Sequence, residues 1–241
     1  LVRARILIVS RLNNSGRAPL LCYVTDRRSL AGIGAAETPE AFLRKIGAAA
    51  AAGVDWIQLR EKDLSGKNCA ALTREALQRA KKASEASENN VVPTRILVND
   101  RLDVALSEGA GGVHLGEKSL PLQEAKRLVS GRTGGKDFLI GVSCHSLEAA
   151  KSAAKNGADY LFFGPVFATP SKAAFGSPQG IERLADVCRA VSIPVLAIGG
   201  VTLENASSCF AAGASGIAAI RLFQDADDIA ALVQALRKMA V

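Results

Sequence analysis

The sequence predicts one (β/α)8 (TIM) barrel with a short N-terminal extension. Three observations predict it. Eight short apolar runs alternate strictly with eight amphipathic stretches, four of the junctions repeat one glycine-centred pattern, and the length of 241 residues suits one barrel of this kind. Residues 1–19 are assigned to the extension and residues 20–241 to the barrel.

The elements follow in order. The first strand, Leu20–Thr25 (LLCYVT), precedes a helical pattern over about residues 39–52. Trp56–Arg60 precedes 66–87, Arg95–Asn99 precedes 101–108, and Gly112–Leu115 precedes 121–129. Phe138–Ser143 leads to 146–156, Tyr160–Gly164 to a long loop and then 180–191. Pro194–Ile198 leads to 203–212 and Gly216–Ile220 to 226–239. A change of hydrophobic period marks each boundary. Alternation of this kind implies parallel strands, because a parallel pair needs a long crossover. Leu161-Phe162-Phe163 and Val195-Leu196-Ala197-Ile198 are apolar throughout, as strands covered on both faces are.

The repeated junctions are Gly53 (AAGVDWIQL), Gly109 (SEGAGGVHL), Gly157 (KNGADYLFF) and Gly213 (AAGASGIAA), placed 56, 48 and 56 residues apart. Each interval holds two βα units, so the pattern marks quarter-barrels. Glycine suits the end of a helix because it adopts the left-handed conformation at little cost. A doubly wound open sheet is the alternative, but eight regular units show no topological switch.

Composition narrows the function. Hydrophobic residues make up 49% of the chain, enough for a sizeable core, and charged residues 22%. The net charge of +7 suits anionic ligands. The basic residues are scattered and aromatics reach only 5%, which argues against nucleic acid as a partner. No apolar run approaches the roughly 18 residues of a membrane span. The start, LVRARILIVS, has too short an apolar core for a secretory signal and reads better as an added strand or docked arm. Five cysteines without a C-x-x-C pair read as reduced thiols in a cytoplasmic protein. Apolar outer helix faces are compatible with a homo-oligomer.

In such barrels chemistry sits where strands end. Strand 2 ends in Gln58-Leu59-Arg60-Glu61-Lys62, and alternation sends Gln58, Arg60 and Lys62 one way. An amide and two cations suit a diphosphate; a solvated charge pattern with Glu61 as internal partner is the other reading. Strand 3 ends in Asn99-Asp100, where a carboxylate would suit Mg2+ or cap the next helix. Strands 4 and 5 end near His114, Ser143 and His145. After strand 6, Thr169, Ser171 and Lys172 could clamp an anion, with 173–179 as a lid, or form an ordinary surface loop. Strand 7 ends in Gly199-Gly200, where backbone N–H groups can approach a phosphate, and strand 8 adds Arg221.

These segments (QLREK, VND, GVHLG, GVSCHS, GADYLFFGPVF-x-T-x-S-K and P-x-LAIGGV) occur in an order that resembles the thiamine phosphate synthase family over about residues 20–223. The resemblance implies a transferase. An aminopyrimidine methyl diphosphate loses diphosphate, and a thiazole phosphate nitrogen captures the carbon left behind. It implies small phosphorylated pyrimidine and thiazole partners and Mg2+ as cofactor. It also implies roles. Gln58, Arg60, Lys62, Asn99 and Lys172 would hold the pyrimidine diphosphate, and Asp100 would bind Mg2+. His114 and Ser143 would flank the pyrimidine. Thr169 and Ser171, with Gly200 and the end of strand 8, would contact the thiazole phosphate. The catalytic set would be Arg60, Lys62, Ser143, His145 and Lys172.

The chain departs from the family at three places. Ser119 stands where a second Mg2+ carboxylate is usual, Glu117 replaces a Gln and is the substitute at hand, and Arg221 replaces a small residue. These departures keep two alternatives open. One is the sister group of metal-independent thiazole tautomerases, in which a His at the position of His145 serves as acid/base. The other is a phosphate sensor without turnover.

Overall fold

A computed structural model describes residues 18–30, 38–86, 92–131, 137–169 and 177–239. Eight strands form a closed, all-parallel barrel in sequence order, so the open-sheet alternative is excluded. They are β1 Leu20–Val24, β2 Trp56–Leu59, β3 Arg95–Asn99, β4 Gly112–Leu115, β5 Leu139–Cys144, β6 Tyr160–Phe163, β7 Val195–Ile198 and β8 Gly216–Ala219. Around them lie α1 Thr38–Ala51, α2 Gly66–Glu85, α3 Leu102–Ser107, α4 Leu122–Ser130, α5 Leu147–Lys155, α6 Gly180–Ala190 and α7 Ala206–Ala211. The last unit holds two helices, the one-turn α8 Arg221–Gln224 and α9 Ile229–Lys238. The sequence reading put Arg221 on the end of strand 8. The strand in fact stops at Ala219, and Arg221 opens α8 with its side chain exposed. The remaining predicted elements lie within a few residues of those observed, as expected for helix ends that fray.

The barrel interior is filled by pairing large residues with glycines. Tyr160 stands opposite Gly141, Leu139 opposite Gly112 and Leu20 opposite Gly216. A Cβ at Gly141 would sit 2.0 Å from the Tyr160 ring. Close packing of this kind leaves no room for a methyl group. Trp56, Tyr160 and Phe162 lie in one inner cluster with Leu97, Leu139 and Leu196. A second layer, between strands and helices, contains Leu21, Tyr23, Ile57, Leu161, Phe163 and Ile217.

The glycine repeat has a physical reading. Gly53, Gly109, Gly157 and Gly213 have φ of 83°, 70°, 82° and 92°. Two of the junctions also carry an aspartate at the next strand's foot. Asp55 accepts from Leu21 N at 2.7 Å, and Asp159 from Ile140 N at 2.8 Å. Burial raises the Asp55 carboxyl, and Arg237, 2.8 Å away, offsets that. Among the described residues side-chain caps open three helices: Ser65 on α2, Ser146 on α5 and Asp228 on α9. All five cysteines are free thiols, four of them buried. Burial pushes Cys144 up to about 12 and Cys209 to about 11. Among the described residues no helix is long and apolar enough to cross a membrane. Of the extension, residues 1–17 lie outside the described residues.

Candidate active site

Groups from five strands meet at the C-terminal rim. Gln58 is 2% exposed and donates from Nε2 to Asn99 Oδ1 at 2.9 Å. Asn99 then donates from Nδ2 to Asp100 Oδ2 at 2.7 Å. Asp100 is the one non-glycine residue at positive φ among the described residues, at 61°. That conformation is tolerated by Asp more readily than by most side chains. Its other oxygen, Oδ1, accepts from the Ser119 hydroxyl and from Gly116 N at 3.3 Å. The carboxylate therefore does not cap α3, whose N-cap position is Arg101 and carries no side-chain cap bond. An amide, a second amide, a carboxylate and a hydroxyl form one continuous line from β2 to the β4 loop. The Gln58 Oε1 atom, buried and facing no donor among the described residues, is the line's free valence.

His114 forms the centre of a second group. Its Nδ1 lies 3.1 Å from the Tyr160 hydroxyl and its Nε2 2.8 Å from Ser143 Oγ. The ring packs, tilted by 31°, against Phe162 with centroids 4.1 Å apart. Complete burial lowers the imidazole from 6.5 to about 3, against a weak opposing pull from Asp100, so the ring is neutral. Burial pushes the Tyr160 phenol well above its ordinary value, so it keeps its proton. A neutral imidazole carries one N–H, so His114 donates one of these two bonds and accepts the other. Tyr160 and Phe162 were absent from the sequence-predicted site. The period-two alternation of β6 was the signal that could have found them.

The two cations follow β2. Arg60 is half-buried and Lys62 exposed. The Glu61 carboxylate turns to the end of β1, where it accepts from Thr25 Oγ1 at 2.6 Å and from Arg27 N at 3.1 Å. On the far side of the mouth, the loop after β6 lies along the end of β7. Val166 N donates to Ile198 O at 2.9 Å and Phe167 N to Gly199 O at 3.0 Å. This brings half-buried Thr169 into the loop that lies against Gly200, whose φ is 66°. A Cβ there would lie 2.5 Å from Ala168 O, so both backbone angle and contact demand glycine. Ser171 and Lys172, and the lid reading over residues 173–176, lie outside the described residues. His145 stands apart from His114. Its Nδ1 contacts Gly164 O, and its Nε2 lies 3.9 Å from Glu117 Oε1. Glu117 thus faces His145, while Ser119 is the β4-loop side chain that touches Asp100.

A fit to Mg2+ rests on the donor chemistry. Asp100 and Ser119 present hard oxygens at one point, with one carboxylate between them. Mg2+ accepts such a set when phosphate and water complete the shell.

Comparison with family models and characterised relatives points to one group. The profile of the family described as thiamine monophosphate synthase matches residues 22–223. The thiamine-phosphate synthase of Methanocella arvoryzae is 42% identical over 217 residues, covering 90% of this chain and 92% of that protein. That of Methanoculleus marisnigri is 43% identical over 189 residues, covering 78% and 83%. The solved thiamine phosphate pyrophosphorylase from Pyrococcus furiosus superposes with a TM-score of 0.74 at 31% identity, covering 92% of this chain and 95% of that one. The family match spans seven whole strands and most of β1, and so every described rim residue named above: this chain belongs to the thiamine monophosphate synthase family.

Proposed function

We propose that this chain is a thiamine phosphate synthase, joining hydroxymethylpyrimidine diphosphate to thiazole phosphate. The methylene C–O bond breaks, its electron pair leaves with diphosphate, and the thiazole nitrogen's lone pair forms the new C–N bond. The observation that carries the reading is the unbroken line Gln58–Asn99–Asp100–Ser119 beside the His114–Ser143 pair, at one barrel mouth.

Each residue does physical work in this reading. Gln58 gives one amide N–H to Asn99, which fixes the amide's orientation, and its free carbonyl suits a donor such as an amino group on the pyrimidine. Ser143 O–H complements it by donating to a ring acceptor. Neutral His114 orients Ser143 without placing positive charge beneath a ring that becomes cation-like in the transition state. Arg60, Lys62 and Lys172 stabilise the departing diphosphate. Asp100 and Ser119 would hold Mg2+, which supplies further neutralisation of that leaving group. Thr169, Ser171 and the Gly200 backbone take the thiazole phosphate, with Arg221 at the edge. The five free thiols fit a cytoplasmic setting.

The test is one assay panel with purified protein. Both substrates plus Mg2+ should yield diphosphate and thiamine phosphate in equal amounts. Metal-independent interconversion of thiazole isomers without diphosphate release would instead mark a tautomerase. Binding of both phosphates without turnover would mark a sensor.

A further inference from the structure

We propose that Glu61 is a positioning residue for Arg60: through the Thr25 hydroxyl it fixes the backbone from which the diphosphate-binding guanidinium projects. This rests on the synthase reading above, in which Arg60 holds the diphosphate.

Arg60 lies one residue past the end of β2, where the strand ladder no longer constrains it. Its N–H donates to Thr25 Oγ1 at 3.1 Å, so a side chain takes over where strand pairing stops. The same hydroxyl donates its single proton to Glu61 Oε1 at 2.6 Å. A hydroxyl has one hydrogen and two lone pairs, so these two bonds are compatible and mutually strengthening. The path Arg60 N–H to Thr25 O–H to Glu61 carboxylate returns to the residue next to Arg60. It therefore closes a small ring around the peptide that sets the direction of the Arg60 side chain. Thr25 is 0% exposed and Glu61 9%, so water does not compete for these bonds.

Further bonds hold the support beneath this ring. Glu61 also accepts from Arg27 N, at 3.2 Å through Oε1 and 3.1 Å through Oε2. Arg27 approaches the Glu61 carboxylate at 3.9 Å and bonds Asp63 at 2.6 Å, which ties the turn after β1 to the far side of Lys62. From the β8 side, buried Gln224 holds the same turn. Its Oε1 accepts from Tyr23 OH and Asp26 N, both at 3.2 Å, and its Nε2 donates to Asp26 O at 2.9 Å and Ser29 Oγ at 2.8 Å. The Glu61 carboxylate thus holds the Thr25 hydroxyl and the Arg27 N–H together, beside the Arg27 guanidinium.

A double-mutant cycle tests this, read both as kcat/KM for the pyrimidine diphosphate and as affinity for inorganic diphosphate. Glu61→Ala alone should lower both by about tenfold and leave the KM for thiazole phosphate within about twofold. In an Arg60→Ala background the same change should cost less than about threefold, because the group it positions is gone. Glu61→Gln keeps an acceptor for Thr25 and should recover most of the loss. Thr25→Val keeps shape and removes the hydroxyl, so it should reproduce Glu61→Ala, and it decides the matter if Glu61→Ala does not fold. Equal losses with and without Arg60, or equal losses toward both substrates, would overturn the proposal. If the wild type releases no diphosphate from the substrates but the cycle still couples in inorganic diphosphate binding, the synthase reading fails and the positioning role stands.

Discussion

Replacing His114 by Asn should change how stability depends on pH, and the size of the change follows from the ring's surroundings. The imidazole is buried, packed 4.1 Å from Phe162 and bonded at both nitrogens, and it is held neutral down to about pH 3. In the unfolded chain it takes up a proton near 6.5. Below that pH the unfolded state binds a proton that the folded state refuses, so stability falls by roughly 1.4 kcal/mol per pH unit. Above it the contribution is flat. By pH 4.5 the loss reaches about 3 kcal/mol. The substitution itself removes ring packing, which costs about 3 kcal/mol at pH 7. Wild type should therefore exceed His114→Asn by about that much at neutral pH, and the two should converge near pH 4.5. Asp55 and Glu61, raised by burial, act with the opposite sign: their contribution is present at low pH and lost as pH rises through their folded values. They are common to both proteins and cancel in the difference. Denaturant unfolding of both proteins at pH 7, 6, 5 and 4.5 measures it. A gap that stays constant across this range would refute the assignment of a neutral, buried imidazole.

Three further outcomes follow from the same geometry. Arg60→Ala should lower kcat/KM for the pyrimidine diphosphate about tenfold more than Lys62→Ala, because a fork is lost rather than a point charge; equal small effects in steady-state kinetics would remove this strand end from the diphosphate site. Ser119→Asp should lower the Mg2+ concentration giving half-maximal rate, and should strengthen Mg2+ binding measured by calorimetry without substrate; unchanged titrations would place the metal elsewhere. Gly141→Ala should cost about 2–3 kcal/mol of unfolding free energy, because the added methyl meets the Tyr160 ring at 2.0 Å and that ring is fixed against His114 and Trp56; a thermal midpoint within about 1 °C of wild type would show that the interior yields more easily.

Much of this protein was legible before any coordinates. Hydrophobic period is a local property, so eight strands and the main helices could be read from short windows. The glycine junctions could be read because a left-handed helix end restricts residue choice at a single position, as the φ values of Gly53 and its three counterparts bear out. Strand alternation also put Gln58, Arg60 and Lys62 on one side of β2, and strand ends singled out His114, Ser143 and His145. Tertiary structure decided what those groups touch. Asp100 reads equally as a helix cap or a ligand until its positive φ turns the carboxylate to Ser119, nineteen residues away. Glu61 reads as the partner of its neighbours in sequence until Thr25, just past the end of β1, claims it. Arg221 reads as a strand-end cation until the chain turns into α8 one residue earlier. Side-chain direction past the end of a strand is set by bonds to distant segments, and those bonds exist only once the barrel has closed.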